Sequence, residues 1–572
     1  MIHRFGLSTA AQKAAVMTLA MAAAIFASPL QTAGAAGPFN MGTAVKLPGA
    51  SGGTEPRVAI GPDNHSWLIT NDGSGAVVYG SADGRIWTKT AGRPVQTAAT
   101  IDVDIATTRT GRIIANELDA SGPSIITSYS DDRGATWKPS GSALLSAVNG
   151  TQIADQDRNW LAVGPDDATT HQPRVYNFFH NLVSGTVNHN MYVQTSTDGG
   201  ASFGVPVPTT FPGDQAFLDL QCADSGGPSN ITVNQKTGQV YAIFGTRSST
   251  AGGCGASITG NFEVNVVAAT RVWVATAQAA DTATPGAWKQ SLAVDANAAG
   301  HIVGMQLAPG ALDTAGNLYI FYPESPNGYP NYVGAALRYT HAPPDLSTWS
   351  APVTVAPSGG AGHLLPHIVV GDPGKIDLAY FEGVLQGNAK PIWHAWAAQT
   401  LNGLDSPAGV TFTKLQLSAI PTYQWTASEM MGACGTGPAA GIENGTICNR
   451  STDVWGVALD HNCQLQVTWP AVGGTSGPPN PPNSTATRGT YEATQTGGPA
   501  VCTNTVFPPN TAATAVTPTP TPSLLPNTAG APVHARLTGG PIPGILLLFA
   551  PPVLFLLGLL GLRLRRRRAG NV

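Results

Sequence analysis

Ser196-Thr197-Asp198-Gly199-Gly200-Ala201-Ser202-Phe203 follows a strand-like run and has a near copy in Ser130-Asp131-Asp132-Arg133-Gly134-Ala135-Thr136-Trp137. In both stretches, a Ser and the Asp two residues later can hydrogen-bond the backbone of a tight turn. The Gly accepts a positive φ, and the closing aromatic residue packs back under the hairpin. A shorter version is Ser81-Ala82-Asp83-Gly84-Arg85-Ile86-Trp87. We therefore predict a structural role, and no catalytic one, for Ser81, Asp83, Trp87, Ser130, Asp132, Gly134, Trp137, Ser196, Asp198, Gly200 and Phe203.

The three stretches match the Asp-box pattern S-x-D-x-G-x-[ST]-[WF], two of them in full. On these residues the chain resembles the sialidase-like Asp-box (BNR) β-propellers. The resemblance covers about residues 40 to 502 and implies an all-β propeller. It says less about activity, because function belongs to a site and not to a fold.

A two-strand sequence pattern, here called a phrase, recurs along the chain. It consists of an apolar alternating strand, a turn rich in Gly, Asp and Asn, and a second strand that ends in aromatic residues. Seven such phrases are visible, so the sequence predicts seven blades in preference to six, although the catalytic sialidases of the family have six. The last blade lacks an outer strand, and we expect Thr43 to Leu47 to supply it and close the ring. The phrases begin near Pro56, Ile101, Trp160, Ile231, Leu307, His367 and Val454.

Both ends of the chain carry targeting signals. Residues 1–35 hold Arg4 and Lys13 before an apolar run and small residues, which is typical of a signal peptide. Residues 541–563 are apolar enough for a transmembrane helix, and the basic tail 564–572 is expected to stay in the cytoplasm. Residues 36–502 would form the propeller, and 503–540 a Thr/Pro-rich disordered stalk. Within this stalk, Leu525 to Ala529 resembles a sortase sorting motif, so cell-wall attachment is an alternative to the membrane anchor.

The composition excludes nucleic acid as a partner. The net charge is −4 and only 11% of the residues are charged, so no basic face is available to neutralise phosphates. The six cysteines form an even set in an exported chain, which favours disulfides. Sequence neighbours suggest the pairs Cys222–Cys254, Cys434–Cys448 and Cys463–Cys502. No pattern of Cys and His indicates a metal site, and no cofactor is expected.

Polar residues just before the first strand of each blade should converge at one mouth of the central channel. Arginine forks bind carboxylates in a bidentate manner, so Arg57, Arg158 and Arg450 form a candidate carboxylate clamp for a sialic acid. The resemblance to sialidases implies an Asp acid/base, for which Asp102 and Asp104 are candidates, and a Tyr/Glu nucleophile pair, for which we name Tyr423 and Glu429. The alternative for each residue is a structural bond between blades.

These observations favour a cell-surface anchored, sialidase-like propeller that binds an extracellular glycan or protein without cleaving it. The Asp boxes are present, but the chain reads Glu55-Pro56-Arg57 where the family has an Arg-Ile-Pro motif. The second hypothesis is an exo-α-sialidase acting on terminal sialic acids. A third is a structural or adhesion protein of the cell surface that uses the propeller as a rigid spacer.

Overall fold

The structure is a computed structural model of the 572-residue chain. The residues that it describes, here called the described residues, are 37–50, 55–72, 75–94, 102–119, 124–142, 156–181, 189–222, 227–249, 269–304, 308–327, 332–387, 389–419, 421–424, 442–443, 446–447, 455–471 and 489–503. The chain divides into two units, Met1–Ala512 and Ala513–Val572, and every described residue belongs to the first. The predicted signal peptide, transmembrane helix, basic tail and sortase motif therefore lie outside the described residues, as does the stalk beyond residue 503.

The described residues are almost entirely β-structure, with one α-helix, α1 (Gln215–Cys222), and one 3₁₀ helix (Asn297–Ala299). In chain order the strands are β1 (Asn40–Met41), β2 (Val45–Lys46), β3 (Arg57–Ile60), β4 (Ser66–Asn71), β5 (Ala76–Ser81), β6 (Thr88–Lys89), β7 (Val103–Thr107), β8 (Ile113–Asp119), β9 (Ser124–Ser130), β10 (Lys138–Pro139), β11 (Gly141–Ser142), β12 (Gln156–Asp166), β13 (Pro173–Asn181), β14 (Met191–Ser196), β15 (Ser202–Phe203), β16 (Val207–Pro208), β17 (Gly227–Val233), β18 (Gln239–Thr246), β19 (Arg271–Gln278), β20 (Lys289–Asp295), β21 (Ile302–Val303), β22 (Gly310–Leu312), β23 (Leu318–Ser325), β24 (Ala336–Ala342), β25 (Val353–Ala356), β26 (Gly362–Val370), β27 (Ile376–Gln386), β28 (Ala389–Thr400), β29 (Thr413–Gln416), β30 (Tyr423–Gln424), β31 (Ile442–Glu443), β32 (Thr446–Ile447), β33 (Gly456–Leu459), β34 (Leu465–Ala471) and β35 (Gly489–Gly497).

These strands form seven antiparallel blades within the described part of the chain. From the channel outward, blade 1 is β3 to β6, blade 2 is β7 to β10, blade 3 is β12, β13, β14 and β16, and blade 4 is β17 to β20. Blade 5 is β22 to β25, with β21 also paired to β23, and blade 6 is β26 to β29, with β30 paired to β28. Blade 7 starts with β33, β34 and β35. The innermost strands contact one another in sequence around the ring, and β33 contacts β3 again, so the prediction of seven blades is confirmed.

The N-terminal strands close the ring. In β2, Val45 pairs with Glu492 and Lys46 with Tyr491, and β1 continues along the same side of β35. Blade 7 therefore takes its outer strands from the beginning of the chain and its inner strands from the end. This arrangement covers the edge of β35, which would otherwise offer unpaired backbone groups to another chain. The expected contribution of Thr43 to Leu47 is confirmed.

The hydrophobic core lies between the blades. Strand β4 illustrates it, because all six of its residues are buried and successive side chains point to opposite faces of the blade. Each face then packs against a neighbouring blade, which explains why the second strands read as continuous apolar runs. The bulkiest fully buried side chains include Trp393, Trp455 and Trp469, and Trp455 stacks on Phe381 at 4.5 Å between ring centroids.

The turns predicted from the three related stretches form as their chemistry requires. In blade 2, the Ser130 hydroxyl donates to Asp132 Oδ1 at 2.8 Å and accepts the amide of Gly134 at 2.8 Å. Gly134 has φ of +78°, the left-handed region that favours glycine. Hydrogen bonds from Thr136 lower the pKa of Asp132 to about 2. These turns join the third and fourth strands and so lie at the face opposite the starts of the innermost strands.

One disulfide joins Cys463 to Cys502 across 39 residues and confirms that predicted pair. Cys222, at the end of α1, is also disulfide-bonded, but its predicted partner Cys254 lies outside the described residues. The same holds for Cys434 and Cys448. Among the described residues, no helix is long and apolar enough to cross a bilayer.

Candidate functional site

The starting ends of the innermost strands of blades 1 to 3 bring a group of charged side chains to one side of the channel. We call this group the acidic wall. In antiparallel blades the first strand starts, and the second strand ends, at the same face, so side chains from both can meet there. Four of the sequence-predicted site residues belong to it: Arg57, Asp102, Asp104 and Arg158. The full wall consists of Glu55, Arg57, Asp102, Asp104, Asp157, Arg158 and His180.

Arg158 is the centre of the acidic wall. Its Nη1 donates to Glu55 Oε1 at 3.5 Å and to Asp102 Oδ1 at 3.4 Å, so one guanidinium group joins blades 1, 2 and 3. Its Nε lies 3.8 Å from Asp157 Oδ2. The side chains of Arg158, Glu55 and Asp102 are 8% exposed or less. Charges this deeply buried persist only when they are paired, so these contacts are needed for the channel wall to exist.

Arg57 forms a second centre beside it. Its Nε donates to Asp104 Oδ1 at 3.0 Å, and its Nη1 donates to the carbonyl of Trp455 in the loop that enters blade 7 at 3.1 Å. The guanidinium carbon lies 4.4 Å from the ring centroid of Trp160, within the range of a cation–π contact. Asp104 Oδ2 also accepts the amide of Leu161 at 2.7 Å. Arg57 thus ties the acidic wall to the closing blade.

Two histidines connect the acidic wall to helix α1. His189 Nδ1 lies 3.2 Å from the carbonyl oxygen of Leu220, which can only accept, so Nδ1 carries a proton. His189 Nε2 then accepts from His180 Nδ1 at 3.1 Å. The remaining nitrogen, His180 Nε2, lies 3.6 Å from Asp157 Oδ2, a contact that is favourable when Nε2 is also protonated. The two histidines therefore form a chain of contacts from the carbonyl of Leu220 to the carboxylate of Asp157.

The carboxyl of Asp157 responds to these neighbours. Burial opposes its ionisation, but the adjacent His180 ring and the positive charge of Arg158 outweigh burial and hold its pKa below the usual range. Asp157 keeps 16% of its side chain exposed, twice the exposed fraction of Asp102 at 8%. It is consequently the carboxylate of this group that a ligand can reach most readily.

The backbone of the wall is held in an unusual conformation. Glu55 has φ of +48° and Arg158 has φ of +57°, both in the left-handed region that side chains other than glycine rarely adopt. In β12 the register shifts between Asp157 and Trp160, which is the mark of a bulge, and bulges redirect side chains. This local geometry explains how Asp157 and Arg158, adjacent in sequence, both face the same cluster.

Side-chain amides extend the wall along blades 2 and 3. Asn159 Nδ2 donates to Asn116 Oδ1 at 2.6 Å, Asn116 Nδ2 donates to Asn177 Oδ1 at 3.0 Å, and Asn177 Nδ2 donates to Gln194 Oε1 at 3.3 Å. This chain crosses from the first blade-3 strand to the second strand of blade 2 and back. It fixes the spacing of the two blades that carry Asp102 and Asp157.

The remaining sequence-predicted site residues are not brought into the wall by the described structure. Tyr423 lies in β30 at the edge of blade 6, while Glu429 and Arg450 lie outside the described residues. A three-arginine clamp and a Tyr/Glu nucleophile pair therefore stay predictions. Among the described residues, no group of three His, Cys, Asp or Glu side chains could hold a metal ion.

Histidines on blade 6 have structural partners. His367 Nε2 accepts the amide of Trp455 at 3.3 Å, and burial followed by the charge of Arg57 keeps the pKa of His367 well below its usual value. His367 is therefore a neutral acceptor between blades 6 and 7. His363 Nε2 lies 3.5 Å from Glu382 Oε2.

Sequence reasoning missed Glu55, Asp157, His180 and His189 as principal site residues. Glu55 and Asp157 are among the polar residues before first strands, but nothing in the sequence separates them from the others at such positions. His180 lies near the end of β13 and His189 just before β14, at the same face of blade 3 as the start of β12. A search of second-strand ends as well as first-strand starts would have found His180.

No family model matches the sequence, and no curated protein is similar to it. Solved structures that are similar in fold include an ulvan lyase of polysaccharide lyase family PL25, with 10% identity over 74% of this chain and 93% of that chain and a TM-score of 0.44. Others are an α-L-arabinanase of Penicillium chrysogenum (11% identity, 80% and 98% coverage, TM-score 0.37) and the Hadza microbial sialidase Hz136 (13%, 76% and 74%, TM-score 0.37). At these identities the activities of those proteins are not assigned to this chain.

Proposed function

We propose that the chain is a glycan-binding propeller of the cell surface, which holds an extracellular glycan at the acidic wall without cleaving it. The observation that carries this proposal is the convergence of carboxylates and guanidinium groups from three blades on one side of the channel. Carboxylates accept hydrogen bonds from sugar hydroxyls, and charge-assisted bonds are about twice as strong as neutral ones. Asp157 and Arg57 are the members of the acidic wall that a ligand can contact most readily, because 16% and 18% of their side chains are exposed.

The location outside the cell is supported by the Cys463–Cys502 disulfide, since disulfides persist in oxidising compartments. The signal peptide over residues 1–35 and the anchor over 541–563 belong to this proposal. Cell-wall attachment through Leu525 to Ala529 is the alternative anchor. Either arrangement would present the propeller to glycans outside the cell.

The exo-α-sialidase hypothesis has one supporting feature, which is Arg158 in the channel beside Asp102. A sialidase, however, needs arginines that are free to grip the substrate carboxylate. Arg158 already contacts Glu55, Asp102 and Asp157, and Arg57 already contacts Asp104. This pairing favours binding without sialic acid cleavage over catalysis.

The test is a glycan array probed with the full chain in mild detergent, alongside a fluorogenic sialoside assay. We expect binding to a defined set of glycans and no release of the fluorophore. Fluorophore release that is lost in Asp102→Asn would contradict the proposal and establish the sialidase. Retention of the chain at the cell surface without affinity for any glycan would establish the structural protein instead.

The same experiment tests the carboxylate clamp. If Arg57, Arg158 and Arg450 grip an acidic sugar, each Arg→Lys change should weaken that sugar's binding about tenfold or more, because lysine keeps the charge but lacks the planar fork. If the arginines instead act between blades, Arg→Lys should lower the melting temperature and leave acidic-sugar binding unchanged. Arg158 is the most informative of the three, because its contacts are the most buried.

A further inference from the structure

We infer that the acidic wall discriminates against acidic sugars and takes glycans whose contacting groups are hydrogen-bond donors without negative charge, such as neutral hexoses and amino sugars. The inference rests on the proposed function and specifies its ligand class. It also separates this chain from a receptor for sialic acid, which carries a carboxylate.

The acidic wall carries more negative than positive groups. Among the described residues, its ion pairs involve four carboxylates, from Glu55, Asp102, Asp104 and Asp157, and two guanidinium groups, from Arg57 and Arg158. A proton on His180 would reduce this excess of negative charge but would not remove it. A ligand carboxylate entering this space would meet a net negative field at short range, where charges in a buried site interact strongly.

The Nη1 and Nε groups of Arg158 already face carboxylates. Nη1 donates to two of them at 3.4 and 3.5 Å, and Nε faces a third at 3.8 Å. A ligand carboxylate that approached Nη1 or Nε would have to displace one of these groups. The displaced carboxylate would then be left buried without its partner, which is unfavourable. A neutral hydroxyl requires no such displacement.

His180, in β13, points at the same group of carboxylates from a second strand. This residue is 1% exposed, and its Nε2 has no hydrogen-bond partner within hydrogen-bonding distance among the described residues. The nitrogen points at the partly exposed carboxylate of Asp157 from 3.6 Å. The gap leaves Asp157 with acceptor capacity that a hydroxyl or ammonium group of a ligand can fill, since a carboxylate can accept several hydrogen bonds. Asp157 therefore offers the ligand an oxygen that accepts hydrogen bonds, and it offers no donor that could bind an anion.

The test compares paired glycans that differ only in a terminal sialic acid, using the full chain in mild detergent on an array. We expect the neutral member of each pair to bind at least tenfold more tightly than the sialylated member. Amine-bearing glycans should bind at least as tightly as their N-acetylated counterparts. Preference for the sialylated members would overturn this inference while leaving the proposed function in place. Absence of binding to every glycan would overturn the proposed function itself.

Asp157→Asn provides the matched variant, because it removes one negative charge from the wall with little change in shape. We expect it to lower, about tenfold, the ratio of the affinity for the neutral glycan to the affinity for its sialylated counterpart. Asp131→Asn is the control, since it makes the same change in net charge at an exposed turn on the opposite face. An unchanged ratio in Asp157→Asn, or an equal change in both variants, would overturn the inference.

A measurement on the wild-type chain covers the case in which Asp157→Asn does not fold. Salt screens repulsion between the wall and an anionic glycan, so raising the salt from about 0.05 to 0.5 M should strengthen binding of the sialylated members and leave the neutral members nearly unchanged. Weaker binding of the sialylated members at high salt would mean that the acidic wall attracts the anionic glycan, and it would overturn the inference.

Discussion

The innermost strands of blade 3 and blade 6 share one backbone device but differ in what they attach to it. In β12 the bulge contains Arg158, with φ of +57°, and in β26 a bulge at the same level contains Leu365, with φ of +56°. Arg158 holds three carboxylates, whereas Leu365 is fully buried and its carbonyl accepts the indole Nε1 of Trp455 at 2.7 Å. Both strands contain the bulge, so it belongs to the propeller architecture. The side chain at the bulge decides whether that part of the channel wall carries charged groups or apolar packing.

The same contrast extends around the channel. Blades 1 to 3 contribute buried charges at their starting ends, and blades 6 and 7 contribute an aromatic and aliphatic contact around Trp455. Trp455 links the two sides, because its carbonyl accepts from Arg57 while its ring stacks on Phe381. Substitutions on the two sides should consequently differ in both stability and ligand binding.

The largest effect is expected for Arg158→Met. Removal of the guanidinium leaves Glu55, Asp102 and Asp157 buried without their shared partner, and breaking such a pair costs about 3–5 kcal/mol. Chemical denaturation should show this loss in the free energy of unfolding at pH 7. The loss should shrink at acidic pH, where the carboxyls can take up protons. A loss that is the same at pH 4 and pH 7 would mean that packing, and not charge, explains the effect.

Trp455→Phe should have a smaller effect. The variant loses the hydrogen bond to the Leu365 carbonyl and leaves a buried acceptor unsatisfied, which costs about 1–3 kcal/mol. Because Trp455 contributes only its backbone carbonyl to Arg57, we expect glycan affinity to be retained. Denaturation and a glycan titration on the same sample measure both quantities. A loss of affinity larger than the loss of stability would show that the apolar side also contacts the ligand.

Buried carboxyls on the two sides should give pH dependences of opposite sign. Burial raises the pKa of Asp377 in blade 6 to about 8, although the hydrogen bond from Gln399 to its Oδ1 acts in the opposite direction. Its stabilising contribution is therefore complete below the unfolded pKa of about 4 and is lost as the pH rises through 8. For Asp157, whose folded pKa is lowered, the contribution is present above about pH 4 and is lost as the pH falls.

The alkaline part of this prediction is the easier to measure. Between pH 7 and pH 8 the wild-type chain should lose about 1 kcal/mol of unfolding free energy through Asp377. Asp377→Asn should remove this part of the slope, and Asp131→Asn should retain it. The part that comes from Glu492, whose pKa burial also raises to about 8, should stay in both variants. An undiminished slope in Asp377→Asn would assign the titration to another group.

The smallest effect is expected at the turns on the opposite face. Asp132→Asn removes a carboxylate oxygen that accepts from Thr136, and Asp132 itself is exposed. We expect a small fall in melting temperature and no change in glycan affinity. A change in affinity would mean that this face, and not the acidic wall, contacts the glycan.

The sequence predicts the fold well because its signals are local. The Ser-Asp turns and the alternating strands each depend on residues within about ten positions of one another, and the structure confirms them in blades 1 to 3. The closing strand pairs with a distant partner, but it was predictable because blade 7 lacks an outer strand of its own. The acidic wall is harder to predict, because Arg158 meets Glu55 and Asp102 from positions 103 and 56 residues away. The positive φ values of Glu55 and Arg158 and the tautomers of His180 and His189 also depend on the assembled ring. The sequence gives the candidates Arg57, Asp102, Asp104 and Arg158, but their mutual pairing appears only in three dimensions.

The central claim, that the acidic wall binds the glycan, is tested most directly by calorimetric titration of one array-selected glycan into two isosteric variants. Asp157→Asn alters the wall, and Asp377→Asn alters a buried carboxyl in blade 6. We predict that Asp157→Asn weakens binding about tenfold or more, as expected for loss of a charge-assisted hydrogen bond, while Asp377→Asn leaves the affinity unchanged. Wild-type affinity in Asp157→Asn, with the fold intact, would contradict the account.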